Sequence, residues 1–410
     1  MKDFFRVVDI GEVLALRPGF GRLGTETVAL SGAFGRVLAK DAVSAGDVPP
    51  FSRTTVDGWA VAAASTFGAG ETNPSLLKIA GEVGMAEIPA FALARGEAAR
   101  IPTGGCLPKG ADAAVMLEHA EAVDGDFIEV YRSVAPGTHV IMKGDDVAAG
   151  EAAVPAGTRL RPQELAVLAA VGAARVEVFR KPVAGIVSTG DEIVPADRTP
   201  GPGQIRDMNA SALSGQVAAA GGLPRSFGIV PDDGDALHAV MRDALASCDT
   251  VLVSGGSAVG ARDFTVETIL RFPGAEILVH GVAISPGKPT ILAKIDGKAV
   301  WGLPGHVVSA MVVFEVMVRP FIESLAGLSR PRPRPPVSAR LAMNAPSVSG
   351  RTDFVRVRLA AGQGGGLDAL PLFGKSGEIR TMTAADGLVR IERDDEGLAA
   401  GTLVDVFLME

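Results

Sequence analysis

Short apolar runs alternate with segments of helical periodicity between residues 181 and 328, a pattern typical of a parallel β-sheet whose strands are joined by helices. The predicted strands are the apolar runs 183–187, 250–253, 290–293 and 300–303. The predicted helices are 209–222, 234–245, 263–272 and 307–318. Asn209 is placed to cap the first of them, and Pro320 to help end the last. The segment therefore predicts an α/β domain.

The N-terminal part of the chain is less regular. Helical spacing is found on both sides of a stretch, from about 51 to 144, in which strand-like pieces alternate with Gly and Pro. The predicted helical segments are 12–16, 30–39 and 162–172. We interpret this part as one helical region, 1–50 with 145–180, interrupted by a β-rich insertion, 51–144.

The C-terminal part begins after a spacer. Residues 329–336 read SRPRPRPP, and alternating Pro and Arg favour an extended chain over helix or packed strand. Short runs of alternating apolar and charged residues follow at 354–359, 388–391 and 403–406. Glycines at 362–366 predict a hairpin tip. The segment 337–410 therefore predicts a small β-barrel, beside the α/β domain at 181–328.

Composition narrows the function classes. The 410 residues carry a net charge of −8, which argues against non-specific nucleic-acid binding, and the 5% aromatic content offers few stacking platforms for single strands. Two cysteines make no disulfide framework, and the five histidines form no paired cluster. The charged N-terminus does not resemble a signal peptide, and the longest apolar stretch, 299–314, is interrupted by Gly and Pro. We expect a soluble cytoplasmic protein that binds neither nucleic acid nor membrane.

Three Gly-rich loops follow predicted strands of the α/β segment. They read STGDE at 188–192, SGGSAVGARDFT at 254–265 and GLPGH at 302–306. Ligands of open α/β sheets bind beyond the carboxyl ends of the strands, where glycines let backbone N–H groups approach an anion. The alternative is that these glycines only make tight turns. Three such loops together favour an anion-binding site.

A fourth loop, ISPGKPT at 284–290, holds Lys288 between Gly287 and Pro289. Its spacing does not fit a Walker A loop. The restricted backbone is suited to aim a cation at a phosphate or oxyanion, although a surface lysine without function is the simpler alternative. The nearby acidic residues are of the kind that suits Mg²⁺, and Asp232, Asp233 and Asp263 are alternatively helix caps, above all Asp233. These acidic residues are Asp191, Glu192, Asp232, Asp233 and Asp263.

Two upstream segments stand out in the same way: DVPPFSRTTVDGWAV at 47–61 and RIPTGGCLPKGADAAVM at 100–116. Both combine turn residues with a following apolar run, so turn chemistry alone is an alternative explanation. Further distinctive segments are KGDDV (143–147), PAGTRL (155–160), GQIRDMN (203–209) and GRTDFVR (350–356). In order and spacing, all these segments together resemble the molybdopterin molybdenumtransferase family, of the MoeA and gephyrin E-domain type.

The resemblance implies a fold and an activity. It implies an elongated homodimer whose subunits have four domains: a helical, dimerising linking domain, a β-rich insertion, a three-layer α/β molybdopterin-binding domain and a C-terminal β-barrel. It implies that molybdate is inserted into adenylylated molybdopterin while the adenylate is hydrolysed with Mg²⁺, giving molybdenum cofactor and AMP. An upstream molybdopterin adenylyltransferase would supply the substrate. Active sites in the family lie between the insertion of one subunit and the α/β domain and barrel of the other.

Matching motifs assign roles to individual residues. Catalytic roles fall to Asp57, Thr103, Asp146, Lys288 and Arg351. Metal-binding roles fall to Glu192, Asp232 and Asp263. The loops expected to bind the pterin and nucleotide contribute Ser188, Thr189, Gly190, Gly255, Gly256, Ser257, Gly260, Pro304, Gly305 and Ser376. In this assignment Lys288 and Arg351 bind phosphate or molybdate, and Asp57 reaches in from the other subunit.

The chain departs from the family at several positions. Ser285 stands where the family often has a second basic residue, and His306 and Val307 stand where a polar residue and Pro are typical. A missing cation would weaken molybdate affinity or shift preference toward tungstate. The alternatives are a non-catalytic protein that binds or carries molybdopterin or its molybdenum cofactor, and a tungstate-preferring insertase. A gephyrin-like scaffold would need a fused extra domain and a receptor partner.

Overall fold

The computed structural model describes residues 7–255, 264–331, 333–362 and 365–409. At its centre is a six-stranded sheet. In spatial order its strands are Leu223–Val230, Val183–Thr189, Thr250–Ser254, Lys298–Leu303, Ile291–Ile295 and Glu276–His280. The first four are parallel, as the sequence pattern predicts. A separate pair of short parallel strands, Ile193–Val194 with Ile205–Arg206, follows the strand Val183–Thr189 in the sequence.

The last two pairings of the sheet are antiparallel, because Ile291–Ile295 runs opposite to both of its neighbours, so the prediction of a parallel sheet is wrong at this edge. A two-residue turn at Asp296 and Gly297, both with positive φ, joins Ile291–Ile295 directly to Lys298–Leu303. Such a turn makes a hairpin, whereas parallel strands need a long crossover.

Helices cover both faces of the sheet and give it three layers. They are Asn209–Ala219, Gly234–Ser247, Phe264–Ile269, Val307–Val313 and Arg319–Leu325, with a π-helical turn at Phe314–Val318. One core contains Trp301 and Phe321, whose rings meet edge to face at 4.9 Å. A second core on the opposite face contains Met241 and Val251. The three-layer α/β prediction is confirmed.

The prediction that Pro320 helps to end the last helix is wrong. The helical path continues to Leu325, and Pro320 stands in the first turn of Arg319–Leu325, directly after the π-helical turn. Proline is tolerated in a first turn because its missing N–H is not needed there.

The N-terminal region contains fewer helices than predicted. Its α-helices are Ile10–Ala15 and Pro162–Ala170. Its paired strands are Thr25–Ala29 with Arg175–Phe179 and Ala42–Val43 with Ala152–Val154. The predicted helix 30–39 is wrong: only Leu30–Gly32 forms a 3₁₀ turn, and Val37 and Leu38 make β-bridges. Gly35 has φ +73°, a left-handed conformation that interrupts a helix.

The insertion holds a second six-stranded sheet. In spatial order its strands are Ala113–Met116, Gly58–Val61, Glu97–Ile101, Ser75–Glu82, Phe127–Val130 and Ala120–Val123. Trp59, Leu77, Val115 and Ile128 pack in its core. A short pair, Arg53–Thr54 with Val140–Ile141, stands at its base. The β-rich character predicted for this stretch is confirmed.

The C-terminal region is a closed five-stranded barrel, as predicted. Its strands are Val337–Leu341, Thr352–Ala361, Leu367–Pro371, Gly387–Ile391 and Leu403–Leu408. Thr352–Ala361 pairs with both Leu367–Pro371 and Gly387–Ile391. The other two strands, Val337–Leu341 and Leu403–Leu408, pair with each other and link those two neighbours, so the sheet closes into a ring. A short strand of the α/β domain, Ile284–Ser285, adds to this barrel beside Thr352 and Asp353.

The C-terminal region contains three further short elements. They are the paired strands Ala345–Pro346 and Gly397–Leu398 and the short helix Arg380–Thr383.

Within the described ranges of the chain, no helix combines the length and the apolar character that crossing a membrane requires.

Candidate active site

A cleft of about 920 Å³ opens where the carboxyl ends of the central strands face the barrel. It lies at the position that open α/β sheets use for ligands. Most of the residues assigned from the sequence to pterin, nucleotide or metal line it. From the α/β domain these are Ser188, Thr189, Gly190, Glu192, Asp232, Gly255, Lys288, Pro304 and Gly305. From the barrel they are Arg351 and Ser376. The two domains therefore build one site.

The floor of the cleft carries unused hydroxyl groups. Ser188, Thr189 and Ser254 end their strands, and all three side chains are buried. None of their hydroxyl oxygens has a hydrogen-bond partner among the residues that the structure describes. Buried polar groups normally find partners, and an unpaired one is costly. These hydroxyls are therefore suited to contact a polar ligand.

Backbone crowding explains one glycine of the floor. Gly255 has φ +105°, and a Cβ atom there would lie 2.3 Å from the carbonyl oxygen of Thr189. Any larger residue would push apart the ends of the two strands that form the floor. Gly256, Ser257, Gly260 and Asp263, assigned to the same loop from the sequence, lie outside the described residues.

Carboxylates gather on one side of the cleft. The Asp232 N–H donates to Asp191 Oδ1 at 3.1 Å, and Glu192 lines the cleft with Asp232. Partial burial raises the pKa of Asp232, and the negative charges of Asp191 and Glu192 raise it further. Among the described residues, no three His, Cys, Asp or Glu side chains converge closely enough to bind a metal by themselves. Mg²⁺ usually takes one or two carboxylates plus waters and substrate phosphates, so the two cleft carboxylates, Glu192 and Asp232, fit that ion.

The loop carrying Lys288 is held rigidly. Thr290 Oγ1 donates to the Gly287 carbonyl oxygen at 2.6 Å, and Val282 N–H donates to the Lys288 carbonyl oxygen at 2.9 Å. Gly287 has φ +122°, and a Cβ atom there would meet Val313 Cγ2 at 2.3 Å. The Lys288 side chain is exposed on the cleft, and no ion-pair partner for it occurs within the described parts of the chain. Its charge is available to an anion.

Arg351 lies in the cleft but has a partner. Its Nε is 2.8 Å from Oδ1 of the buried Asp353, and its Nη2 donates to Asp353 Oδ2 at 3.2 Å. Ser347 Oγ donates to the same carboxylate. The carboxylate offsets much of the positive charge that the sequence assignment gave to this residue.

Arg356 is a cleft residue that the sequence assignment missed. It is half-buried and donates from Nη1 to Thr381 Oγ1 at 2.8 Å and from Nη2 to the Gly374 carbonyl oxygen at 2.9 Å. No carboxylate of the described chain lies within 4.0 Å of its guanidinium. Burial lowers the pKa of Arg356, while the charge of Glu378 acts in the opposite direction. Its place in GRTDFVR was the available signal, but strand alternation there does not distinguish cleft from solvent.

Asp57 and Thr103 on the insertion, with Asp146 directly after it, form a separate group. Asp57 Oδ1 accepts the Thr103 N–H at 2.7 Å, and the Asp146 N–H donates to the Val48 carbonyl oxygen at 3.0 Å. All three are exposed. Residues 48–54 connect them, because this segment pairs with the loop that follows Thr103 and with the residues on both sides of Asp146. None of the three is among the described residues that line the cleft.

The fold and the cleft define a class of multidomain α/β protein with a polar cleft between a three-layer domain and a barrel. Three family models match in order: the MoeA N-terminal region (domain I and II) at 8–172, a probable molybdopterin binding domain at 185–324 and the MoeA C-terminal region (domain IV) at 338–409. The chain thus belongs to the MoeA family, and the resemblance read from its motifs is confirmed.

Individual relatives agree with this assignment. The chain is 33% identical over 389 residues to the molybdopterin molybdenumtransferase of Bacillus subtilis, covering 94% of this chain and 90% of that protein. It is 36% identical to a putative molybdopterin biosynthesis protein of Methanocaldococcus jannaschii, covering 92% and 90%. A molybdopterin biosynthesis MoeA protein from Pyrococcus horikoshii OT3 matches with a TM-score of 0.80 and 32% identity, over 98% of this chain and 100% of that one.

Proposed function

We propose that this protein acts in molybdenum cofactor biosynthesis as a molybdopterin molybdenumtransferase. It inserts molybdate into adenylylated molybdopterin and hydrolyses the adenylate, releasing AMP and molybdenum cofactor. The observation that carries the proposal is the cleft itself, where a free cation, unpaired hydroxyls and a pair of carboxylates face one space. Several relatives of similar length bear the name of this activity.

The polar floor and the cations have distinct tasks in this reaction. Ser188, Thr189 and Ser254 donate hydrogen bonds to substrate oxygens. Lys288 and Arg356 stabilise the negative charge that develops when the phosphoanhydride is cleaved and hold the molybdate oxyanion. Because Asp353 already neutralises Arg351, that residue orients the rim of the cleft rather than supplying a free charge.

Glu192 and Asp232 are the described residues that would hold Mg²⁺. Partial burial raises the pKa of Asp232, and the negative charges of Asp191 and Glu192 raise it further, so a bound cation would be favoured beside these carboxylates. A bound Mg²⁺ supplies charge neutralisation on the phosphate oxygens. The carboxylates themselves orient the bound adenylate and repel any second anion from this wall of the cleft.

Asp57, Thr103 and Asp146 complete the proposed site only in an assembly of two chains. We propose a homodimer in which Asp57, Thr103 and Asp146 of one subunit face the cleft of the other. The exposed position of all three, away from the cleft of their own subunit, supports this arrangement. The proposed domains are 1–50 with 145–180, 51–144, 181–328 and 337–410. The protein would act in the cytoplasm on the product of a molybdopterin adenylyltransferase.

The decisive experiment measures AMP release from adenylylated molybdopterin with and without Mg²⁺, using molybdate and tungstate side by side. We expect release that needs Mg²⁺ and the oxyanion, and a fall of about 100-fold in Lys288→Ala, the usual scale for losing one charge-stabilising group. Lys78→Ala, an exposed lysine on the insertion sheet, is the control and stays active. Tight binding of the substrate without any AMP release would instead identify a carrier protein and contradict the proposal.

A further inference from the structure

One side-chain contact joins the two walls of the cleft. His306 Nδ1 and Ser376 Oγ are 2.7 Å apart, a short hydrogen bond between the α/β domain and the barrel. Both residues line the cleft. His306 directly precedes the helix Val307–Val313, and Ser376 lies in the loop between the strand Leu367–Pro371 and the short helix Arg380–Thr383.

Two backbone contacts give this bond a fixed frame. The Val308 N–H donates to the Ser376 carbonyl oxygen at 3.2 Å, so side chain and main chain of Ser376 meet the same helix start. On the other side, Asn209 Nδ2 donates to the Gly305 carbonyl oxygen at 2.9 Å. The turn at 304–306 is therefore held by a neighbouring helix, and the barrel loop is held by the turn.

The barrel loop is otherwise held mainly at its two ends, where the Leu372 N–H donates to the Arg356 carbonyl oxygen at 2.8 Å and Ile379 packs against the cluster that contains Val307 and Val308. In the described segment 372–379 there is neither helix nor strand, and Glu378 N–H to the Lys375 carbonyl oxygen is an internal bond of the loop. The Gly374 carbonyl oxygen accepts from Arg356 Nη2. Phe373, next to it, is 54% exposed and lines the cleft. The position of this loop thus sets one of the two hydrogen bonds that orient the Arg356 guanidinium, the other being to Thr381 Oγ1.

We infer that His306 is a positioning residue, which fastens the Ser376 loop across the cleft and thereby sets Arg356 for the anionic substrate. The identity of the anionic substrate rests on the proposed function, whereas the contact between His306 and Ser376 is independent of it. Either partner can donate, because a hydroxyl both donates and accepts and the imidazole has two tautomers. Asparagine has a polar atom at the position of Nδ1 and replaces this bond, whereas alanine does not.

The test compares His306→Ala, His306→Asn, Ser376→Ala and the double variant His306→Ala with Ser376→Ala. Hydrogen exchange measures amide protection of Val308 and of peptides covering 372–380, and equilibrium binding measures AMP affinity. One lost hydrogen bond corresponds to a change of about three- to tenfold in each. We expect this loss in both alanine variants, no additional loss in the double variant, and recovery in His306→Asn. In turnover, KM for the adenylylated substrate should rise more than kcat falls.

The control is His119→Ala, which removes a histidine bonded to Arg132 on the insertion, away from the cleft, and should change neither readout. Unchanged protection of 372–380 in His306→Ala, or additive losses in the double variant, would overturn the inference. Failure of the proposed function has a different signature: the wild-type protein would bind no AMP and release none, while exchange at 372–380 would still respond to His306→Ala.

Discussion

Arg351 and Arg356 lie five residues apart in one segment of the barrel and line the same cleft, yet they are electrostatically different. Arg351 is paired with Asp353, whereas the partners of Arg356 among the described residues are the neutral oxygens of Thr381 and Gly374. A half-buried guanidinium without a carboxylate gains most from an anionic ligand, because the ligand offsets the cost of its desolvation.

Replacing each arginine by glutamine should therefore have unequal effects on anion binding. Arg356→Gln removes a free charge, and we expect AMP and molybdate affinity to fall by about 10- to 100-fold, the worth of a charge-assisted hydrogen bond. Arg351→Gln leaves Asp353 without its partner and should mainly lower the free energy of unfolding. Calorimetric titration and urea denaturation of both variants separate the two effects. A larger affinity loss in Arg351→Gln would reverse the assignment.

Glu164 allows a prediction about pH. Hydrogen bonds from Arg161 lower the pKa of Glu164 from 4.5 to about 2, and the carboxylate is buried at the start of the helix Pro162–Ala170. A pKa lowered by folding stabilises the protein above the unfolded value of 4.5, and that contribution is lost as the pH falls toward 2. Because Arg161 is partly exposed, the contribution is about 1 to 2 kcal/mol.

Glu164→Gln should lower the free energy of unfolding by that amount at pH 7, and the difference from wild type should shrink between pH 4.5 and pH 2. Urea denaturation at several pH values measures it. Glu71→Gln, at an exposed position of the insertion, is the control and should follow the wild type at every pH. A difference that grows as the pH falls would contradict the assigned sign.

At the scale of elements, the strands and Gly-rich loops of the α/β domain could be predicted because their apolar runs and turn residues are local signals. The exceptions arise from structure that is not local. Pro320 looks like a helix end until the preceding π-helical turn is known. The role of Arg356 depends on which face of a barrel strand meets another domain. The antiparallel edge is different, because the turn at Asp296 and Gly297 that makes it is a local hairpin signal that the strand pattern alone did not use.

The loop of Lys288 gives a prediction at this scale. Gly287→Ala introduces a Cβ atom at 2.3 Å from Val313 Cγ2, at φ +122°, so the loop must shift and carry Lys288 with it. We expect a loss of about 1 to 3 kcal/mol in stability and weaker AMP binding, measured by urea denaturation and calorimetry. Gly215→Ala is the control, because its Cβ meets no atom within 4 Å in the helix Asn209–Ala219. It should be neutral or slightly stabilising.

At the scale of the whole molecule, the α/β domain and the barrel share one cleft within a chain, joined by the strand Ile284–Ser285 and by the His306–Ser376 contact. Asp57 and Thr103 lie instead on the insertion, bonded to each other and exposed. If the proposed homodimer brings this pair to the cleft of the other subunit, two defective chains should compensate for each other.

Asp57→Ala and Lys288→Ala should each be inactive alone and active when co-expressed. Half of randomly formed dimers are mixed, and each mixed dimer has one intact site, so about one quarter of the wild-type AMP release is expected. Recovery arises because the Lys288→Ala chain still supplies Asp57 to the intact cleft of its partner. Lys288→Ala co-expressed with Arg356→Ala is the matched control and should recover nothing, since both changes lie in the cleft of one chain and Asp57 remains intact in each. In that mixture every cleft, in every possible dimer, lacks either Lys288 or Arg356. Absence of recovery in the first mixture would place the insertion residues and the cleft in the same subunit. Recovery in the control would instead show that Lys288 and Arg356 do not act together in the cleft of one chain.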